Sequence, residues 1–326
     1  MCDLKRVALF FVCVAISASS ALAQRHQLEL SQEGWEAAQA AESVDEDEAS
    51  IREAWATLLG GNPGKARSML NTWLRENRSG ANQWTSLALL VRGDAKVAMD
   101  DEYEALFDYE QIATNYAGSP EFIQAAERTM AIAIDYIEGK RRKFLGLRIT
   151  SARRDGAELL VRIAERLPGS QLAERATLEL GAHYRRTGDY KTAGEVYGTF
   201  LEAFPTSTFY RAVLLARIET TFAQYNGPEY DGSGLIETEE LLDVYERKYP
   251  GDLEVQAELD ALRVRIDESQ GRQLLVMAEV YLQRGEKASA RYVLRRLLSD
   301  HPRTTATQDA LDILRDRGWL REGDGV

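Results

Sequence analysis

Arginines placed beside leucines at helical spacing are the residues of this sequence best suited to do chemistry, and that chemistry is recognition. Arg175, Leu178, Ala182 and Arg185 fall on one helical face, as do Arg272, Leu275, Glu279 and Leu282. A guanidinium binds a carboxylate through two parallel hydrogen bonds, and a neighbouring leucine takes an apolar side chain. Such a face suits an extended peptide with a hydrophobic end. A second group is the basic run Lys140, Arg141, Arg142 and Lys143, continued by Arg148, Arg153 and Arg154 and interleaved with Phe144, Leu145, Leu147 and Ile149. Its chemistry is attraction to anionic headgroups or an acidic partner. The competing reading is an insert joining two helices, with its charges paired to acidic neighbours; Lys140, Arg141, Arg142, Lys143, Phe144 and Arg148 define the candidate docking insert.

Covalent chemistry has little to work with. The three histidines, His26, His183 and His301, are far apart. They show no ligand spacing with one another, with cysteine or with glutamate, so no metal site is expected. Both cysteines, Cys2 and Cys13, lie near the start. Asp100-Asp101 and Glu239-Glu240 read as solvated helix faces rather than general acid–base pairs, which need unequal buried environments. No glycine-rich phosphate loop follows a strand. The sequence therefore predicts no catalytic residues, no cofactor and no enzyme.

The first residues read as an address. Lys5 and Arg6 precede the apolar run Val7–Ile16, and Ala21-Leu22-Ala23 is a cleavage pattern before Gln24. The run is shorter than the roughly 20 residues of a membrane span. Cleavage after Ala23 leaves no cysteine in the mature chain, and lipidation at Cys13 is not expected because Val12 stands where a small residue is wanted. The expected location is the periplasm. A net charge of −12 argues against a nucleic-acid partner.

The elements that must position these residues are helices. From Ile51 onward apolar residues recur at three- and four-residue spacing, and the sustained alternation of a strand is absent. Residues 24–50 read as an acidic flexible lead-in, 51–317 as the helical body, and 318–326 as a C-terminal tail. Two windows overlay without gaps: Thr177–Pro205 and Leu274–Pro302. Gly181 meets Ala278, Tyr184 meets Tyr281, Gly188 meets Gly285, Ala193 meets Ala290, and Pro205 meets Pro302. The small residues permit close helix approach, the tyrosines fill the space between, the second glycines end a helix, and the prolines stop the next. Further second helices end near Pro168 and Pro250. A turn-rich loop spans Asn226–Gly234.

These windows resemble the tetratricopeptide repeat, a helix–turn–helix unit of about 34 residues. The resemblance implies an all-α solenoid of about five or six helix pairs, wound as a right-handed superhelix. More narrowly, Tyr197–Ser207, Tyr281–Arg291, Gly139–Gly146 and Gly227–Asp231 are similar to the outer-membrane assembly lipoprotein BamD family. So is the order of parts, with a connecting helix from Leu253 to about Gln270 before the last repeat. That resemblance implies a periplasmic scaffold whose partners are other proteins: a barrel-assembly protein and unfolded barrel clients, with peripheral membrane contact. A general scaffold at the cell wall or division site is the alternative. The family carries a lipidated cysteine at the mature start, where this chain has Gln24.

Overall fold

The computed structural model describes residues 28–31, 34–37, 45–78, 82–144 and 147–320. The predicted leader with its cleavage point, His26 and residues 321–326 lie outside the described residues. For residues 28–31, 34–37, 144 and 147–149 only the backbone is described.

Among the described residues thirteen helices follow one another: α1 (Glu46–Leu59), α2 (Pro63–Glu76), α3 (Thr85–Ala98), α4 (Glu102–Asn115), α5 (Glu121–Glu138), α6 (Arg153–Arg166), α7 (Gln171–Thr187), α8 (Tyr190–Ala203), α9 (Tyr210–Ala223), α10 (Ser233–Lys248), α11 (Gln256–Gln283), α12 (Lys287–Asp300) and α13 (Thr305–Asp316). Each packs on the next, and the first helices of several successive pairs also touch. The result is an all-α tetratricopeptide-type solenoid: six helix pairs, with α13 closing the last one. Each pair covers its neighbour's apolar face, so the core is a row of clusters rather than one centre.

The crossing inside each pair explains the sequence pattern. In the six second helices a buried small residue stands four positions before a buried large one: Ala66 and Leu70, Ala105 and Tyr109, Gly156 and Leu160, Ala193 and Tyr197, Thr238 and Leu242, Ala290 and Leu294. The first helix answers in size. A Cβ on Gly93 would lie 2.4 Å from the Tyr109 ring, and one on Gly181 would lie 2.4 Å from the Tyr197 ring. Where the first helix carries Ala54 or Ala278, the residue sixteen positions on is Leu70 or Leu294. A tyrosine thus requires glycine across from it, and a leucine accepts alanine. Tyr184, half-buried, bridges two clusters instead, while Tyr281 packs in the last one. Gly188 and Gly285 adopt the left-handed conformation at helix ends, with φ of 79° and 78°.

Four features differ from the sequence reading. Short antiparallel hairpins occur, β1 (Leu28–Ser31) with β2 (Gly34–Ala37) and β3 (Arg141–Phe144) with β4 (Leu147–Ser151). They escaped because four- or five-residue strands are too short to show alternation. Glu42 lies outside the described residues; residues 45–50, the end of the expected flexible lead-in, are structured, and helix α1 begins at Glu46. Asp45 caps it by accepting from the Asp47 N–H at 3.1 Å, and Trp84 Nε1 donates to Asp45 at 2.6 Å. Trp73 Nε1 and Asn82 donate to the two Asp47 oxygens at 2.8 and 2.7 Å. Trp73 ties these residues to α2 and Trp84 to the start of α3, and the Trp84 hydrogen bond holds the Asp45 carboxyl below its usual range. The connecting helix and the first helix of the last repeat are one 28-residue helix, α11. Trp319, assigned to the tail, packs against the last cluster, and Arg295 donates to its carbonyl at 2.9 Å.

Two outcomes test this packing. Gly181→Ala is expected to cost about 1–3 kcal/mol by overpacking against Tyr197. Adding Tyr197→Leu should recover most of that loss, since the pair then matches Ala278 and Leu294; urea unfolding of the three variants reads it. Asp47→Ala should cost about 1–3 kcal/mol by leaving the Trp73 and Asn82 donors unmatched, with a red shift in tryptophan emission from the folded protein.

Candidate functional site

Helix α6 opens with Arg153 and Arg154 as its first two residues. Its N-cap is Ala152, whose side chain caps nothing. Residues 153, 157 and 161 share one face, and 154, 158 and 162 the face beside it. The C-terminal turns of α7 bring His183, Tyr184 and Thr187 opposite. Between them lies an open cleft of about 590 Å³, lined by Arg153, Arg154, Ala157, Glu158, Val161, Arg162, His183, Tyr184 and Thr187. Its floor is apolar and its rim cationic.

The charges of the rim are unevenly matched. Glu158 serves Arg154 at 3.1 Å and Arg162 at 4.0 Å. Arg153 reaches back beside Gly139 at the end of α5, and makes no ion pair among the described residues. Arg186, next to the cleft on α7, makes none either. His183 is only 6% exposed, and its ring meets Tyr184 edge-on at 5.4 Å. Burial pushes its pKa below the ordinary 6.5, and the positive charges of Arg186 and Arg153 push the same way; a hydrogen bond to the Ile137 carbonyl opposes them. The imidazole is therefore neutral at pH 7. Among the described residues no group of three His, Cys, Asp or Glu could hold a metal ion. The cleft has cations, an apolar wall and a neutral imidazole, which is equipment for binding.

The arginine-and-leucine faces read from the sequence do not form grooves. Leu275 is 2% exposed in the last core cluster, and Leu178 packs against another, because both lie on the side of the helix that meets its neighbour. Arg185 pairs with Glu219 at 2.9 Å and Arg272 with Asp309 at 3.3 Å, while Arg175 and Glu279 are exposed. The docking insert is the β3–β4 hairpin, and its charges are largely matched. Lys140 meets Glu102 at 2.9 Å and Asp135 at 2.8 Å. Arg142 meets Asp155 at 3.4 Å and lies 4.3 Å over the Tyr103 ring; Lys143 meets Asp100 at 3.4 Å. Arg141 pairs in the hairpin with Ser151, Lys143 with Arg148, and Phe144 with Leu147. The hairpin thus pins the start of α4 to the end of α5. The cationic surface lies beyond it, at Arg153, Arg154 and Arg162. Glu158, four residues from both Arg154 and Arg162, was the readable signal for that face; the approach of His183 to it is tertiary and was not.

Residues 274–304 match a family profile described as tetratricopeptide repeat, the stretch from the second half of α11 to the corner before α13. No curated protein matches the sequence. Among solved structures, a tetratricopeptide repeat protein from Parabacteroides merdae is 16% identical, with a TM-score of 0.36, over 82% of this chain and 98% of that one. The C-terminal part of a repeat protein from Cytophaga hutchinsonii is 14% identical, with a TM-score of 0.37, over 83% and 90%. PilF of Pseudomonas aeruginosa is 14% identical, with a TM-score of 0.29, over 82% and 97%.

An NMR pH titration is expected to place the His183 midpoint below 6.5, and Arg186→Gln to raise it. The sign for stability follows. The unfolded chain takes up the proton more readily, so His183 contributes stability above pH 6.5 and loses it as pH falls through the folded midpoint. His183→Gln should flatten that part of the stability–pH curve in urea unfolding.

Proposed function

We propose that this protein is a non-enzymatic scaffold that holds protein partners on its helical surface, exported to the periplasm and acting in the assembly of outer-membrane β-barrels. The observation that carries the scaffold reading is the repeat array itself. Six helix pairs give an extended surface backed by a continuous row of cores, the form in which repeat proteins bind other proteins. The absence of a catalytic constellation from the sequence agrees with it. Export rests on the leader pattern before Gln24, and the barrel-assembly task on the sequence likeness of the Tyr197–Ser207 and Tyr281–Arg291 stretches. The lack of a cysteine at Gln24 favours a second reading, a periplasmic scaffold held by its partners rather than by lipid, at the cell wall or division site.

A mild-detergent pull-down from envelope fractions, with a C-terminal tag and mass spectrometry, separates the two. The first reading expects a barrel-assembly protein, lost when Ala290→Glu disrupts the last pair. Recovery of wall or division components alone sinks it. The intact mass of the purified protein should begin at Gln24.

A further inference from the structure

The loop between α9 and α10 holds an asparagine unlike the others in the chain. The sequence has six, and Asn226 alone precedes a glycine. An asparagine carboxamide is an electrophile, and the backbone nitrogen of the next residue is the nucleophile within its reach. Hydrogen bonds to either group, or helical geometry, keep the two apart. Five of the six are restrained in this way. Asn62 donates to the Gly60 carbonyl at 3.4 Å and is followed by Pro63, which has no N–H. Asn71 lies inside α2 and accepts from Arg92 at 3.2 Å. Asn77 donates to the Trp73 carbonyl at 3.1 Å. Asn82 donates to Asp47 at 2.7 Å and accepts from the Trp84 N–H at 2.9 Å. Asn115 ends α4, and the Tyr116 N–H after it donates to the Ile112 carbonyl at 2.8 Å. Asn226, by contrast, is exposed, and among the described residues neither its carboxamide nor the Gly227 N–H has a hydrogen-bond partner. Gly227 has a φ of 124°, which a side chain would resist, and it carries no Cβ to crowd its nitrogen. Asp231-Gly232 in the same loop has a similar form, but Ser233 donates to that carboxylate from its N–H at 3.0 Å and its hydroxyl at 2.6 Å. Those bonds hold the Asp231 carboxyl below its usual range, so it stays ionised and is a poor electrophile.

We propose that Asn226 is a self-modification site, converting through a cyclic imide to aspartate and isoaspartate. The Gly227 nitrogen attacks Asn226 Cγ. The N–Cγ bond forms, the bond from Cγ to the amide nitrogen breaks, and that nitrogen leaves as ammonia with the Gly227 proton. Water then opens the ring. Breaking the new N–Cγ bond gives aspartate on the ordinary backbone. Breaking the original peptide bond gives isoaspartate, in which the chain runs through Cγ and is longer by one carbon. Either product adds a carboxylate to the loop. The extra carbon of isoaspartate falls between the two points that clasp the loop to α11. The Tyr225 hydroxyl donates to the Ser269 carbonyl at 3.5 Å, and Gln273 Nε2 donates to the Tyr230 carbonyl at 2.8 Å. Isoaspartate therefore loosens the loop from α11. The reaction does not depend on the scaffold reading and uses no residue of the last repeat.

The test incubates the full mature protein in mildly alkaline buffer and maps its peptides by mass spectrometry, with electron-transfer fragmentation to tell aspartate from isoaspartate. A synthetic peptide of residues 222–232, incubated alongside, marks when the reaction has had time to run. The protein peptide carrying residue 226 is expected to gain the mass that separates an amide from an acid, with ammonia released in step and isoaspartate exceeding aspartate. Asn226→Gln, whose ring would need a further carbon, should abolish the mass gain and the isoaspartate with its unfolding transition retained. Hydrogen exchange of residues 225–232 should quicken in the isolated isoaspartate form and stay unchanged in Asn226→Asp. An intact Asn226 once the synthetic peptide has converted overturns the proposal. So does a mass gain of equal extent at Asn77 or Asn82, or isoaspartate that persists in Asn226→Gln and so arises at Asp231. Unaltered exchange in the isoaspartate form overturns the loosening.

Discussion

Two helices can cross closely only where one of them gives up side-chain volume, and the architecture of this protein depends on that exchange. In every pair the second helix places Ala, Gly or Thr at the crossing and a large residue one turn later. The first helix then adjusts to that residue. Tyr109 and Tyr197 lie against Gly93 and Gly181, where even a methyl group would meet the ring. Packing at this density leaves no slack to absorb a volume change. Everything else in the array, including the angle at which one pair presents itself to the next, follows from how near these two backbones come.

Charge then finishes what packing begins. Asp108 is buried between Arg92 and Lys96, tying α3 to α4. Arg211 holds Asp252 at 2.6 Å, with Tyr245 donating to the same carboxylate, which fastens the turn after α10 to α9. Arg211 holds the Asp252 carboxyl below its usual range, while burial, helped by the hydrogen bond to Asp252, pushes the Tyr245 hydroxyl up to about 12. Neither set is neutral in itself: the first puts two cations on one carboxylate, and the second adds Glu254 to Asp252 on one guanidinium. In the cleft between α6 and α7 the ion pairs stay within one helix, Glu158 meeting Arg154 and Arg162 on α6 itself.

The sequence made the repeats legible where all their small and aromatic positions coincide, at 177–205 and 274–302. It was less clear at Gly156 and Thr238, where the small residue is not alanine and the preceding connection carries a hairpin or the 226–232 loop. The array type could be read because period and helix stops are local. The site could not. Arg175, Arg185 and Arg272 obey the helical period as well as Arg153 and Arg162 do, and period alone does not say that Arg185 and Arg272 meet acids of another helix while Arg162 meets one on its own. Leu275 was misplaced for a related reason: one helix turned by a single position exchanges its buried and open faces, and periodicity alone does not set that rotation.

Helix α11 belongs to two clusters at once. Leu259 and Ile266 pack with α9 and α10, while Leu274, Leu275 and Ala278 pack with α12 and α13. At its middle, Asp267 meets His301 at 2.7 Å, and Glu268 accepts from the Thr305 N–H at 3.0 Å, so the last corner is fastened to the centre of the same rod. Repeat arrays with short helices can unravel from an end, unit by unit. Here the terminal unit has no seam at which to detach, because the rod that forms its first wall also closes the unit before it. Loss of structure at the C-terminal end must therefore either break a continuous helix or take two units together, which makes that end of the array the more cooperative one.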